Sequence, residues 1–172
     1  MPKLPSHESE DLIMLDVLRI LEQDGRVPAA EIATRLGRPL EEIQQALAEI
    51  EARQLIVSYG ALVNWEKVSD DRVYAFISVE AEPEHGRGFD TVADHISRFP
   101  EVHSLYLMSG TADLQVVVEG NDFRAIARFV AEKLAPVPGV RSTSTSFVLK
   151  TYKAEGRLLA ESGGDHRLAV TP

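Results

Sequence analysis

Cysteine is absent from the 172 residues. Without thiols there is no disulfide framework, no cysteine-based zinc site and no thiolate nucleophile, a composition suited to a reducing cytosol. Long apolar runs are missing as well. No stretch approaches the roughly 18 uninterrupted apolar residues of a membrane span, and the first ten residues carry acids and no apolar leader core. The expectation is a cytoplasmic protein with no membrane partner. Positive charge is scarce, with 18 Lys and Arg against 27 Asp and Glu and a formal net charge of -9. Such a surplus repels phosphate backbones at long range, the opposite of the usual footprint of a nucleic-acid binder, so any DNA-binding reading has to answer it.

The patterns that catalysis and metal binding need are missing too. His7, His85, His95, His103 and His166 are scattered over the chain. No pair stands at i, i+4 spacing and there is no H-E-x-x-H, so no metal is expected. His103 falls on a candidate strand, where it reads either as a ligand or as a satisfied sheet histidine. Gly86-Arg87-Gly88 lacks a third glycine and a parallel βαβ setting, which argues against a dinucleotide site. No G-x-S-x-G supports hydrolysis. The serines and threonines of RSTSTSF (141–147) fit the alternation of a strand with one polar face. Asp70-Asp71 and Glu80, Glu82 and Glu84 read as solvated loop charges, with a site for a basic effector as the alternative. We therefore expect no catalytic residues, no cofactor and no enzyme activity.

Two small cores with oligomerisation suit this length and a 44% hydrophobic content. Apolar residues at helical spacing predict a helix over 12–21, closed by Asp24-Gly25. A second helix opens at Pro28 and stops at Gly37, and a third runs from Pro39 to about residue 55. Three helices with a Gly-containing turn between the second and third make a helix-turn-helix. The segment 55–63 (LIVSYGALV) is rich in β-branched residues and reads as a strand. Polar residues 64–72 read as a connection. Beyond them the order becomes β-α-β-β-α-β, with strands at 73–79, 102–108, 114–118 and 141–150 and helices at 89–99 and 122–134. The expected fold is α+β: an N-terminal helix-turn-helix, winged-helix-like domain (8–58), a strand and linker (59–72), a ferredoxin-like domain (73–153) and a flexible tail (154–172). Tyr74, Tyr106 and Phe147 belong either to a subunit interface or to the packing of sheet on helix.

Five stretches in order resemble the Lrp/AsnC family, the leucine-responsive and asparagine-operon regulators, across residues 12–153. They are LDVLRILEQDGR (15–26), EIATRLG (31–37), LIVSYGALVN (55–64), SGTADLQVVV (109–118) and PVPGVRSTSTSFVLKTYK (136–153). The resemblance implies a DNA-binding transcriptional regulator. It also implies a C-terminal domain that dimerises through its sheet, assembles into higher homo-oligomers, and binds small effectors, usually amino acids, near the loop joining its second and third strands. Here that loop is Met108, Gly110, Thr111, Ala112 and Asp113. Gly110 permits close approach and positive φ, Thr111 brings a hydroxyl, and Asp113 is able to accept an ammonium group. The alternative is a tight turn in which Asp113 satisfies its own backbone.

The third helix departs from the family pattern of a basic recognition helix. PLEEIQQALAEIEAR (39–53) holds Glu41, Glu42, Glu49 and Glu51 against Arg53 alone, and each carboxylate near a phosphate opposes the counterion release that drives affinity. Gln44 and Gln45 are placed to read adenine, and Arg38 to clamp a phosphate or guanine, with Arg26 and Arg35 as backbone contacts. The other reading makes the glutamines solvated surface and pairs the arginines with neighbouring carboxylates. Two further functions remain open: an effector- or partner-binding module that has lost DNA binding, and an enzyme on the same architecture, as in siroheme decarboxylases. The latter needs clustered His, Arg and Tyr around a tetrapyrrole cavity.

Overall fold

A computed structural model describes residues 6–68 and 72–159, with the side chains of 6–10 and Glu66 outside the description. Asp70-Asp71 and the tail from 160 onward, including His166, also lie outside the described residues. The chain divides into two compact units, Met1–Ala61 and Leu62–Pro172.

The first unit holds three helices, α1 (Ser6–Gln23), α2 (Ala29–Leu36) and α3 (Leu40–Ala52). Pro28 and Pro39 stand immediately before α2 and α3 with extended ψ, where a missing N–H costs nothing. Gly37 closes α2 at φ 62°, and the bonds Gly37 N–H to Thr34 O and Arg38 N–H to Ala33 O complete a Schellman cap. The apolar stripes meet in one core, with Val17, Ile32, Ile43 and Ile50 fully enclosed. Burying each such side chain stabilises by about 1.5–3 kcal/mol.

Two sequence expectations are corrected. Residues 55–64 are not a strand: no ladder pairs them, and Val57 is 98% exposed. Their β-branched composition favours a pleated, half-buried surface, but no neighbouring edge within the described chain supplies one. Residues 154–159 are not a loose tail. Strands β5 (Lys153–Ala154) and β6 (Arg157–Leu158) form a hairpin across Glu155 and Gly156, both at positive φ, the geometry that two-residue turns prefer.

The second unit is the expected β-α-β-β-α-β: β1 (Val73–Ala81), α4 (Asp90–Ser97), β2 (Val102–Leu107), β3 (Leu114–Gly120), α5 (Phe123–Phe129) and β4 (Val140–Phe147). The sheet is antiparallel in the order β2-β3-β1-β4, the ferredoxin-like arrangement. After α5, residues Val130–Leu134 widen into a π-turn, closed by Ala135 N–H to Val130 O. Alternation assigns the two faces of the sheet. Ala75, Ile77, Val79, Leu114, Val116 and Val118 pack beneath α4 and α5 with Ile96, Ile126 and Phe129. Tyr74, Phe76, Ser78, Gln115, Val117 and Tyr106 share the other face through the registers Phe76↔Val117 and Tyr106↔Gln115. No element of this unit covers that second face, which leaves Phe76 46% and Tyr106 54% exposed.

Candidate functional sites

In the first unit, burial of Ile43, Ala46 and Ile50 turns the opposite side of α3 to solvent. Gln44 and Gln45 both stand there, and Gln45 lies one turn from Glu41 and from Glu49. Arg35 pairs with Glu31 at 2.5 Å and Arg38 with Glu42 at 3.6 Å. Arg53, which sequence reasoning passed over as a contact, holds Glu49 at 2.6 Å and Asp11 at 3.6 Å. These contacts hold its guanidinium pKa above the ordinary value. Arg26 is exposed in the turn after α1, where its backbone N–H donates to Asp24 Oδ1. The pairing does not disqualify the arginines. Exposed pairs contribute about 0–1 kcal/mol, less than a charge-assisted bond to phosphate offers, and the same pairs neutralise Glu42 and Glu49 on the helix.

In the second unit, the β2–β3 turn is held at its base by Asp113. Its carbonyl accepts from Met108 N–H at 2.8 Å, its N–H donates to Val79 O at 3.0 Å, and its Oδ2 accepts from Ala81 N–H at 2.9 Å. Asp113 thus ties the turn to the end of β1 rather than to its own backbone, with one carboxylate oxygen so engaged. Gly110 departs from expectation: its φ lies outside the positive region, and a Cβ there meets nothing within 4 Å. Openness, not backbone conformation, is what glycine supplies here. Met108 and Thr111 are exposed and Ala112 half-buried.

The opposite end of the sheet carries a polar network. Arg72 stacks on Trp65 at 3.9 Å and pairs with Glu119 at 2.8 Å, and Tyr74 OH donates to Glu119 Oε2. Burial, followed by the bond to Glu119, raises the Tyr74 pKa. His103 is exposed at a bulge in β2 and stands edge-on to Tyr74. A cleft of about 320 Å³ opens nearby, lined by Glu101, Gly120, Arg128 and Lys133 among others. Phe147, by contrast, packs under α5 against Phe123. Glu82 pairs with Arg141, and Glu84 accepts from Thr91, so both acids are engaged on the surface. His85, His95 and His103 stand in a loop, on α4 and on β2, and no group of three metal-ligating residues forms among the described residues. No helix among them is long and apolar enough to cross a membrane.

Residues 74–158 match the model of the Lrp/AsnC ligand binding domain. The chain is 40% identical over 158 residues to the uncharacterized HTH-type transcriptional regulator YugG of Bacillus subtilis (strain 168), covering 91% of this chain and 95% of that protein. The chain belongs to the Lrp/AsnC family. It is a metabolite-responsive regulator with a helix-turn-helix unit and a ferredoxin-like ligand-binding unit. Another Lrp/AsnC relative, the Bkd operon transcriptional regulator of Pseudomonas aeruginosa, is 30% identical over 141 residues, covering 82% of this chain and 92% of its own. Among solved structures, the transcriptional regulator NMB0573/L-Met complex from Neisseria meningitidis matches with TM-score 0.64 and 25% identity, over 88% of this chain and 94% of that one.

Proposed function

We propose that this regulator docks α3 on DNA through residues 8–58 and binds an amino acid through residues 73–153, between subunits of a homodimer or a higher homo-oligomer. Residues 59–72 connect the two. The one-sided sheet carries the proposal. A face bearing Phe76, Val117 and Tyr106 is an apolar patch of the kind that marks subunit contact, and the 108–113 turn stands at its end. A second copy on that face brings the turn into an inter-subunit cleft, where free N–H groups of 109–112, the Thr111 hydroxyl and the second oxygen of Asp113 meet a zwitterion. Met108 forms the apolar floor. The L-Met complex of the Neisseria regulator supports an amino acid as effector.

Contacts to DNA come from Arg26, Arg35, Arg38, Gln44 and Gln45, with the arginines leaving Glu31 and Glu42 for phosphates. Effector binding shifts the arrangement of DNA-binding units to the extent that the amino acid prefers one arrangement over another. The relatives are transcriptional regulators, and this reading makes the chain a cytoplasmic, cofactor-free regulator without catalytic residues. Histidines in three separate places offer no tetrapyrrole pocket, and a purified protein with a porphyrin-like absorbance would argue for the enzyme instead.

Gly110→Leu tests the effector site. Since nothing lies within 4 Å of the added Cβ, the variant folds and dimerises but loses the ligand response; an unchanged titration removes the turn from the site. The Arg35–Glu31 and Arg38–Glu42 pairs favour one rival, a sensing module without DNA contact. Mobility shifts on the protein's own upstream region decide between them. Saturable, sequence-dependent binding that Arg38→Ala with Gln45→Ala weakens supports the regulator. Absence of binding even at low salt supports the module.

A further inference from the structure

Three features converge on the C-terminal hairpin. The first is charge: residues 148–159 carry Lys150, Lys153 and Arg157 against Glu155 alone, in a chain whose first unit holds six basic residues against eleven acidic ones. The second is exposure. Tyr152 is 66% and Leu149 91% exposed, and Lys150 reaches over the Tyr152 ring at 5.1 Å. Neither Lys150 nor Lys153 has a carboxylate partner among the described residues. The third is placement. Leu159 N–H donates to Tyr152 O and Asn64 Nδ2 donates to Leu159 O, both at 3.0 Å, so the root of the hairpin is tied to a residue three positions past the end of the first unit.

We propose that this hairpin is an accessory contact to duplex DNA. The inference rests on the DNA-binding reading above. The first unit shows no strand among its described residues and so has no wing. The β5–β6 ribbon supplies one from the other end of the chain. Its register, Lys153↔Leu158 and Ala154↔Arg157, sets Lys153 and Arg157 on opposite faces. A groove of DNA has a phosphate backbone on each side, and a two-stranded ribbon fits between them. Lys153 then meets one backbone while Arg157 and Lys150 meet the other, with Tyr152 and Leu149 against the sugars. These contacts are blind to sequence, and they supply counterion release that the acidic α3 cannot.

The test is a salt series of DNA binding by the full chain, using Lys150→Gln with Lys153→Gln and, separately, Glu155→Gln. Two lost phosphate contacts lower the log–log salt slope by about 2 and weaken specific and random duplexes equally, while Glu155→Gln tightens both. The effector titration stays unchanged. If the wild type binds DNA and the double variant keeps its slope, the hairpin assignment falls while the DNA reading stands. If the variant keeps its slope but changes its sedimentation, the hairpin contacts a second copy and the proposal is likewise overturned. If the wild type binds no duplex at low salt, both readings fall.

Discussion

Gln54 ends α3 in the left-handed region at φ 52°, donating to Glu51 O while Leu55 N–H reaches Ile50 O, a Schellman cap built on a side-chain-bearing residue. An L-residue is strained there by about 1 kcal/mol, so Gln54→Gly is expected to stabilise the first unit by roughly 0.5–1 kcal/mol in urea titrations. The gain separates strain at the cap from packing, since no contact is added. Glu101 offers a second residue-scale test. The Lys133 ammonium holds its carboxyl below the ordinary value of 4.5. Its contribution is therefore complete above that value and disappears as pH falls through the lower folded value. Between neutral pH and about pH 3.5 the wild type loses more stability than Lys133→Met; equal losses would rule the pair out. Neither feature was legible beforehand. Lys133 and Glu101 are 32 positions apart, as are Asp113 and Ala81, and only the folded sheet brings such pairs together. The i, i+4 pairs of Arg35 and Arg38 were open to sequence reasoning because helical periodicity alone makes those residues neighbours.

At the scale of elements, periodicity identified all five helices and the four strands of the main sheet, with shifts at their ends. It failed at 55–63, because a strand exists only when something pairs with it, and composition cannot say whether a partner is present. It also missed the β5–β6 hairpin, whose two-residue strands are too short to show alternation. Glu155-Gly156 was its only signal. The connection from the π-turn into β4 passes through Gly139, at φ 89°, where an added Cβ would lie 2.7 Å from Val92 Cγ2. Gly139→Ala combines backbone strain with overpacking against α4, and is expected to cost about 1–3 kcal/mol of the second unit's stability by thermal denaturation. In the first unit, Ile43→Ala removes a fully buried side chain between α3 and its neighbours and is expected to cost roughly 2–5 kcal/mol.

For the molecule as a whole, the net charge of -9 looked incompatible with DNA, and its distribution softens the conflict without reversing it. Glu42 and Glu49 are paired with arginines, and unpaired lysines gather at the C-terminal hairpin. The open face of the sheet makes a prediction at this scale. If a second copy covers it, Phe76→Glu sets facing carboxylates into an apolar contact and yields a monomer in sedimentation velocity, with a midpoint of unfolding that no longer rises with protein concentration. A dimer that survives the change would move the contact elsewhere. One small bond reaches further than its strength suggests. Because Asn64 Nδ2 donates to Leu159 O, the last described residue of the chain helps to fix the peptide that leads back to the helix-turn-helix. Proteolytic trimming or an affinity tag fused at the C-terminus therefore also perturbs the linker. Preparations that differ by a few C-terminal residues are then expected to differ in how they present DNA-binding units, a source of batch variation that no substitution near α3 would explain.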